Sequence, residues 1–475
     1  MRSPRRDPGR RRGRSEPFKI ARQRMINLAT KPRRLHNAKK GSKLDWLFLL
    51  LFALTLIAFA AVDIRYLGTA FNSTMRFVWL LIFLFFLSTR GYLGRGLTGA
   101  FGLATLVYLG WIFATVLWSQ VPALSAPKAI LQVFVTVTFI SAGYAWAHKA
   151  LAEHAFSVFA GMTLLVVVTG VLGAGLAEAA LDTGSMVLYR GLAYNPNLLG
   201  ILVLMSVPWT VWYFHCNYLG KMRRRMIAYL TLGSVLAVLL LTGARSSILA
   251  VGVAGATYLY YTGLGRYAAV LGLVLLTGAV VVLNVPDLGS RVWGIVAKGT
   301  EESGDVFYSR RGVWEESLAG AEEGDLMGVG YGVSAGITEY IGGFSAADYG
   351  REKGNTVLAI LEELGQIGLV LYVLMIASFF IRLMRAAARL PNGTLRAQIG
   401  LVIGTSLGLI VNSQFEAWFV APAAPASPFF WSLVGCGMAL ARMAEQHSRV
   451  HRAIRRQQVT TGQAMGAHGV RHATR

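Results

Sequence analysis

Acidic residues, cysteine and proline are all scarce in this chain. Its 475 residues hold 23 Asp/Glu against 46 Lys/Arg, with two cysteines and 13 prolines. Cys216 and Cys436 give neither a disulfide framework nor the paired spacing of a zinc site, so no metal is expected. Charged residues make up only 15% and hydrophobic residues 55%, which excludes an ordinary soluble domain. The basic N-terminal stretch is not followed directly by an apolar core with a cleavage site, so no cleaved signal peptide is expected.

What the chain has is long apolar runs. Twelve stand out, near 46–62, 77–93, 97–119, 129–147, 155–177, 195–216, 226–242, 246–263, 267–285, 355–381, 396–413 and 425–443. A run of roughly 18 residues or more is long enough to cross the hydrocarbon of a bilayer as a helix. The sequence therefore predicts an all-α integral membrane protein of about 12 transmembrane helices.

The net charge of +23 would suggest nucleic acid in a soluble protein, but its distribution points to a membrane. Residues 1–43 carry sixteen Lys/Arg, and the tail 444–475, with Arg442 just before it, is also basic. Basic flanks mark the cytoplasmic side and favour anionic lipid, so both ends are expected inside, with no nucleic-acid partner. Inside ends require an even number of spans, and twelve is even: nine lie in 44–285 and three in 355–443, on either side of a long segment at 286–354. That segment holds twelve Asp/Glu and six Lys/Arg and is expected outside, partly helical.

Four motifs face the expected outer side. YRGLAYNPNLLG (189–200) opens the sixth span, with Pro196 suited to a first helical turn and Asn195 and Asn197 polar at the membrane surface. LTGARSSILA (241–250) puts Arg245 at a polar break between two apolar runs, where an arginine is costly and function is the default reading. SRRGVW (309–314) starts a helix in the outer segment, with Ser309 as its N-cap and Gly324 as its stop. GNTVLAILEELGQIGLVLY (354–372) opens the tenth span behind Asn355, a second N-cap candidate. No internal repeat and no broken helix is evident. Glu362 and Glu363 fall about two turns into that span, where a counter-ion such as Arg245 or Arg310 is required.

In GNTVLAILEELGQIG, the Gly354-Asn355 pair, nine residues and then Gly365-x-x-Gly368 resemble the signature of the O-antigen ligase and polysaccharide polymerase family. RGLAYNPNLLG, GARSS, the R-x-x-x-W of Arg310 to Trp314 and GVGYG (328–332) match in order, so that the resemblance covers roughly 185–380. The resemblance implies a glycosyltransferase of the bacterial inner membrane, needing no cofactor. Such enzymes move a glycan from an undecaprenyl diphosphate carrier to an acceptor glycan or glycolipid at the outer leaflet. It further implies that Arg190, Arg245 and Arg310, with Arg311 beside it, hold the diphosphate, a role suited to bidentate guanidinium groups.

The family pattern normally begins His-Asn, and here the first position is Gly354. All eight histidines fall on the expected inner side. A general base for the acceptor hydroxyl must then be an outer carboxylate, with Glu339, Asp348, Glu363 and Glu416 as candidates, or be absent. Lys353 is a further candidate, although its charge makes it a poorer base. Polymerase and ligase remain alternatives within the family. A secondary transporter of an anionic solute and an inactive relative that binds carrier lipid are the rivals outside that activity.

Overall fold

The computed structural model describes residues 43–62, 64, 65, 67–70, 73–149, 170, 180–182, 187–217, 221–267, 269, 308–335 and 353–471. It divides after Leu50 into two units. The described part of the first is the opening of helix α1 (Lys43–Ala61). Everything below concerns the second.

The second unit is built from helices: α2 (Ser73–Thr89), α3 (Gly99–Ala114), α4 (Pro122–Lys149), α5 (Pro196–Asn217), α6 (Met222–Leu241), α7 (Arg245–Tyr261), α8 (Tyr308–Gly324), α9 (Thr356–Ala388), α10 (Thr394–Ser413) and α11 (Ala426–Arg471). Among the described residues the one sheet is an antiparallel hairpin of β1 (Ala180–Asp182) and β2 (Val187–Tyr189) just before Arg190. Every expected span coincides with a helix except the fifth and ninth, which lie almost wholly outside the described residues. Among the described residues, seven helices, α1, α3, α4, α5, α6, α9 and α10, are long and apolar enough to cross a membrane, and α2 is apolar but shorter. The protein is thus a multi-pass, helical membrane protein, with crossing length and composition established for seven segments rather than twelve. Helix α11 runs on from the expected twelfth span into the basic tail without a break.

In hydrocarbon, a helix satisfies its own backbone, so packing between helices falls to shape. Small residues do this work in α10. Gly404 and Gly408 lie against α7 so closely that a Cβ on either would stand 2.5 Å from the carbonyl oxygen of Ala254 or Ala250. Gly400 meets Tyr261 in the same row. A second close pair joins α4 to α11, where Gly143 lies against the Ser432 carbonyl and Gly435 against that of Ile140. We expect Gly404→Val to cost about 1–3 kcal/mol through overpacking. Gly233→Ala, where nothing lies within 4 Å, should leave stability unchanged or raise it. Thermal unfolding of the purified variants in detergent measures both.

Loop contacts sort the described chain into two ends. At one, Arg65 N donates to Leu192 O (2.8 Å), Gln120 N to Val329 O (3.0 Å) and Arg76 Nη1 to Ala423 O (3.2 Å). At the other, Gly94 N donates to Ser141 Oγ (2.9 Å), Arg442 Nη1 to Tyr144 Oη (2.7 Å) and Arg382 Nη1 to Thr98 O (3.1 Å). We call these the motif end and the basic end.

Helix α9 is not continuous. Gly365 adopts φ 69° and ψ −171°, which interrupts the helix nine residues after its first, Thr356. The interruption strips the carbonyls of residues 362–364 of helical donors, and a second segment replaces them. Val329 N donates to Glu362 O (2.9 Å), Gly330 N to Glu363 O (3.1 Å) and Trp111 Nε1 to Leu364 O (2.9 Å). Beyond the break, Gln366 N and Ile367 N donate to Asp325 O and Leu326 O at 3.1 and 3.2 Å. The GVGYG turn therefore fills the gap in α9, and the sequence expectation of an unbroken tenth span is corrected. Irregular backbone at this depth is sustained because protein, not lipid, supplies the partners.

Candidate functional site

The four motifs can be followed from their own local chemistry to a common meeting point. Asn195 caps α5, its Oδ1 accepting from Leu198 N at 2.7 Å, and Pro196 occupies the first turn. The chain before it folds back as a turn, with Ala193 N donating to Arg190 O (3.0 Å) and Arg190 Nη1 reaching Tyr194 O (3.4 Å). Asn197, one position into the helix, donates from Nδ2 to Glu416 Oε1 at 3.3 Å.

In the second motif, α7 begins at Arg245 itself, after a turn through Gly243. Ser246 and Ser247 accept from Asn412 Nδ2 at 3.2 and 3.4 Å. This motif also packs on the first. A Cβ on Gly200 would stand 2.6 Å from Ala244 Cβ and 2.9 Å from Ser247 Oγ. Asn355 caps α9 as expected, accepting from Val357 N (2.8 Å) and Leu358 N (3.0 Å), and its Nδ2 donates to Gln414 O (3.0 Å). Helix α8 starts one residue earlier than the proposed Ser309 cap and stops at Gly324. Its Trp314 donates from Nε1 to Gly354 O (3.3 Å) and sets its ring against Phe415, with centroids 6.3 Å apart.

All four motifs thus converge on Asn412–Trp418, the turn between α10 and α11. That turn is internally braced, with Phe415 N donating to Asn412 O (2.9 Å) and Trp418 Nε1 to Asn412 Oδ1 (3.2 Å). The sequence reading singled out only Glu416 here. The signal for the others was a polar Asn-Ser-Gln closing an apolar span, which by itself suggests only a helix end.

Glu363 and Glu362 occupy a different place. Both are fully buried, and so are Lys353 and Lys128 beside them. Lys353 Nζ lies 2.9 Å from Glu363 Oε1 and 3.3 Å from Glu362 Oε2, and it donates to Val333 O at 2.8 Å. Two of these contacts are ion pairs and the third is a hydrogen bond. The other carboxylate oxygens accept from backbone, Glu363 Oε2 from Gly332 N (2.7 Å) and Glu362 Oε1 from Ala335 N (2.8 Å). Lys128 Nζ donates to Gly332 O at 3.0 Å. Where the sequence offered Arg245 or Arg310 as counter-ion, Lys353 supplies it.

This cluster ties the GVGYG turn to Lys353, just before α9. Tyr331 completes it, its hydroxyl 2.9 Å from both Gln132 Oε1 and Val420 O. Burial pushes the Tyr331 phenol well above its ordinary range, so it stays protonated and able to donate. Ser317 Oγ reaches Lys353 O at 3.4 Å, which brings α8 onto the same point.

Of the remaining candidates, Glu339 and Asp348 lie outside the described residues, as does the Arg310 side chain. Arg311 is exposed on α8. His215 sits away from the motif end, its ring stacked on Trp212 and edge-on to Tyr258. No protein-family model and no curated sequence matches this chain.

Proposed function

We propose that this protein is a glycosyltransferase of the bacterial inner membrane. It takes a glycan from an undecaprenyl diphosphate carrier at the outer leaflet and joins it to a sugar hydroxyl, in surface polysaccharide polymerisation or O-antigen ligation. The observation that carries this reading is the meeting of four motifs, remote in sequence, at Asn412–Trp418. They are four of the five segments on which the family resemblance rests; the fifth, GVGYG, fills the break in α9. Two of the three proposed diphosphate ligands neighbour it in sequence: Arg245 immediately precedes Ser246, and Arg190 opens the turn leading to Asn195.

In this mechanism the acceptor oxygen attacks the anomeric carbon while the bond from that carbon to the phosphate oxygen breaks. The departing diphosphate gains negative charge, and Arg190, Arg245 and Arg310 stabilise it bidentately. An arginine cannot give up its proton, so the clamp keeps its charge through the cycle.

The basic end carries Arg95, Arg382 and Arg442 and by the positive-inside rule faces the cytoplasm, with both termini. Twelve crossings are supported by parity. The chain stands at the basic end at Tyr144 and at the motif end by Ala193, then at the basic end at Gly263, beside Asn392, and at the motif end by Trp314. Each interval needs an odd number of crossings, and the single apolar run that the sequence offers in each, 155–177 and 267–285, makes the total twelve. Anionic lipid is the expected partner of the basic end.

Arg190→Ala and Arg245→Ala should each lower transfer by about 10²–10³-fold, the usual loss when one preorganised donor to a developing charge is removed. The measurement uses purified protein with an undecaprenyl-diphosphate-linked oligosaccharide, scoring product length and acceptor. Full product from both variants would remove the clamp.

One observation favours a second reading. A helix broken at mid-depth, as α9 is at Gly365, is a feature of secondary transporters. Here the gap is filled by the GVGYG turn and closed by hydrogen bonds, which favours a structural break. Uptake of an anionic solute by vesicles containing only this protein would reverse that preference.

A further inference from the structure

The transferase reading leaves the acceptor proton without a destination, since the family's histidine position is Gly354. Resting on that reading, we propose that the Glu416 carboxylate is the general base. Glu416 stands in the turn where the four motifs meet, and its Oε1 accepts from Asn197 Nδ2 of the first motif at 3.3 Å. Its neighbours on either side in that turn touch two more. Gln414 O accepts from Asn355, and the Phe415 ring lies against Trp314.

The other described acids at this end are committed elsewhere or stand apart. Glu362 and Glu363 are fully buried, with each oxygen facing Lys353 or a backbone amide. Glu323 accepts from Gln120 Nε2 at 2.9 Å, and Glu315, Glu316 and Glu322 on α8 and Asp325 just after it are exposed. Glu416 is half-buried, which suits a carboxylate held by the fold yet able to meet a substrate hydroxyl. Asn197 orients it by donating a hydrogen bond to Oε1.

The step balances. The acceptor O–H proton passes to a Glu416 oxygen as the hydroxyl oxygen bonds to the anomeric carbon. The electron pair of the breaking carbon–oxygen bond leaves on the diphosphate, where the arginines receive it. Glu416 then returns its proton to water.

Glu416→Gln keeps the size of the side chain and an acceptor for Asn197 while it removes the base. Turnover with an undecaprenyl-diphosphate-linked oligosaccharide should fall by about 10²–10⁴-fold. Binding of undecaprenyl diphosphate, read as a shift in thermal unfolding, should match the parent. Glu416→Asp should recover part of the lost turnover, and Glu322→Gln should behave as the parent. Turnover by Glu416→Gln within threefold of the parent overturns the proposal, and so does loss of carrier binding together with turnover, which would make Glu416 a strut. If Arg190→Ala and Arg245→Ala also retain full turnover, the transferase clamp has failed rather than the base alone.

Discussion

Replacing Lys353 with methionine is expected to cost about 3–5 kcal/mol of stability, the usual loss when one partner of a buried ion pair is removed. Methionine fills a similar volume, so the effect isolates the charge. It would leave Glu362 and Glu363 buried side by side with their counter-ion gone and only backbone amides in attendance. Removing the acids as well should restore most of the loss, because a neutral group at this site no longer needs the ammonium. The triple variant Lys353→Met, Glu362→Gln, Glu363→Gln is therefore expected to unfold nearer the parent than the single variant does. Denaturant unfolding in detergent compares the three proteins. A single variant within 1 kcal/mol of the parent would show that the cluster does not hold the turn.

The consequence reaches the candidate site. Lys353 is followed directly by Gly354 and Asn355, and its carbonyl accepts from Ser317 of α8. A turn loosened there would shift the Asn355 cap and the Trp314 contact with Gly354 together. Transfer should thus fall in Lys353→Met and return at least in part with Lys353→Arg, which keeps the positive charge.

The helices were legible because an apolar run of spanning length has few other fates in a chain so poor in charge. Asn195 and Asn355 were legible as caps for a local reason, since an Asn side chain before a helix satisfies amides two or three residues on. The break at Gly365 was not. A glycine inside an apolar run is compatible with an ordinary helix, and its interruption depends on donors from Val329 and Gly330, far away in sequence. Lys353 was hidden for the same reason. It becomes the partner of Glu362 and Glu363 only once GVGYG has brought the Val333 carbonyl beside it. At Asn412–Trp418, Glu416 could be listed as an outer acid, but its contact with Asn197 is tertiary and leaves no periodic trace. The β1–β2 hairpin was missed as well.

Gly365→Ala should be as damaging as loss of Lys353, by a different route. At φ 69° and ψ −171° the backbone is in a region that is essentially glycine's own, and strain there costs about 1–3 kcal/mol. A Cβ would also fall against the Leu326 carbonyl, adding overpacking of about 1–3 kcal/mol. The chain has one escape, which is to close the break and run as a continuous helix. Residues 362–364 would then find donors within α9, and the GVGYG turn would lose the carbonyls that seat it.

Val333 reports which route is taken, because it is completely buried when the turn is seated. In a background with Cys216 and Cys436 replaced by alanine, Val333→Cys should resist maleimide until Gly365→Ala is added. Gly110→Ala, a helical position with nothing within 4 Å, serves as the comparison and should leave the thiol protected. If the thiol stays protected and stability is unchanged with alanine at position 365, the break in α9 does not depend on glycine. A reactive thiol, with transfer lost in the same variant, would mean that the seated turn is what holds Lys353 and the Asn355 cap in their working positions.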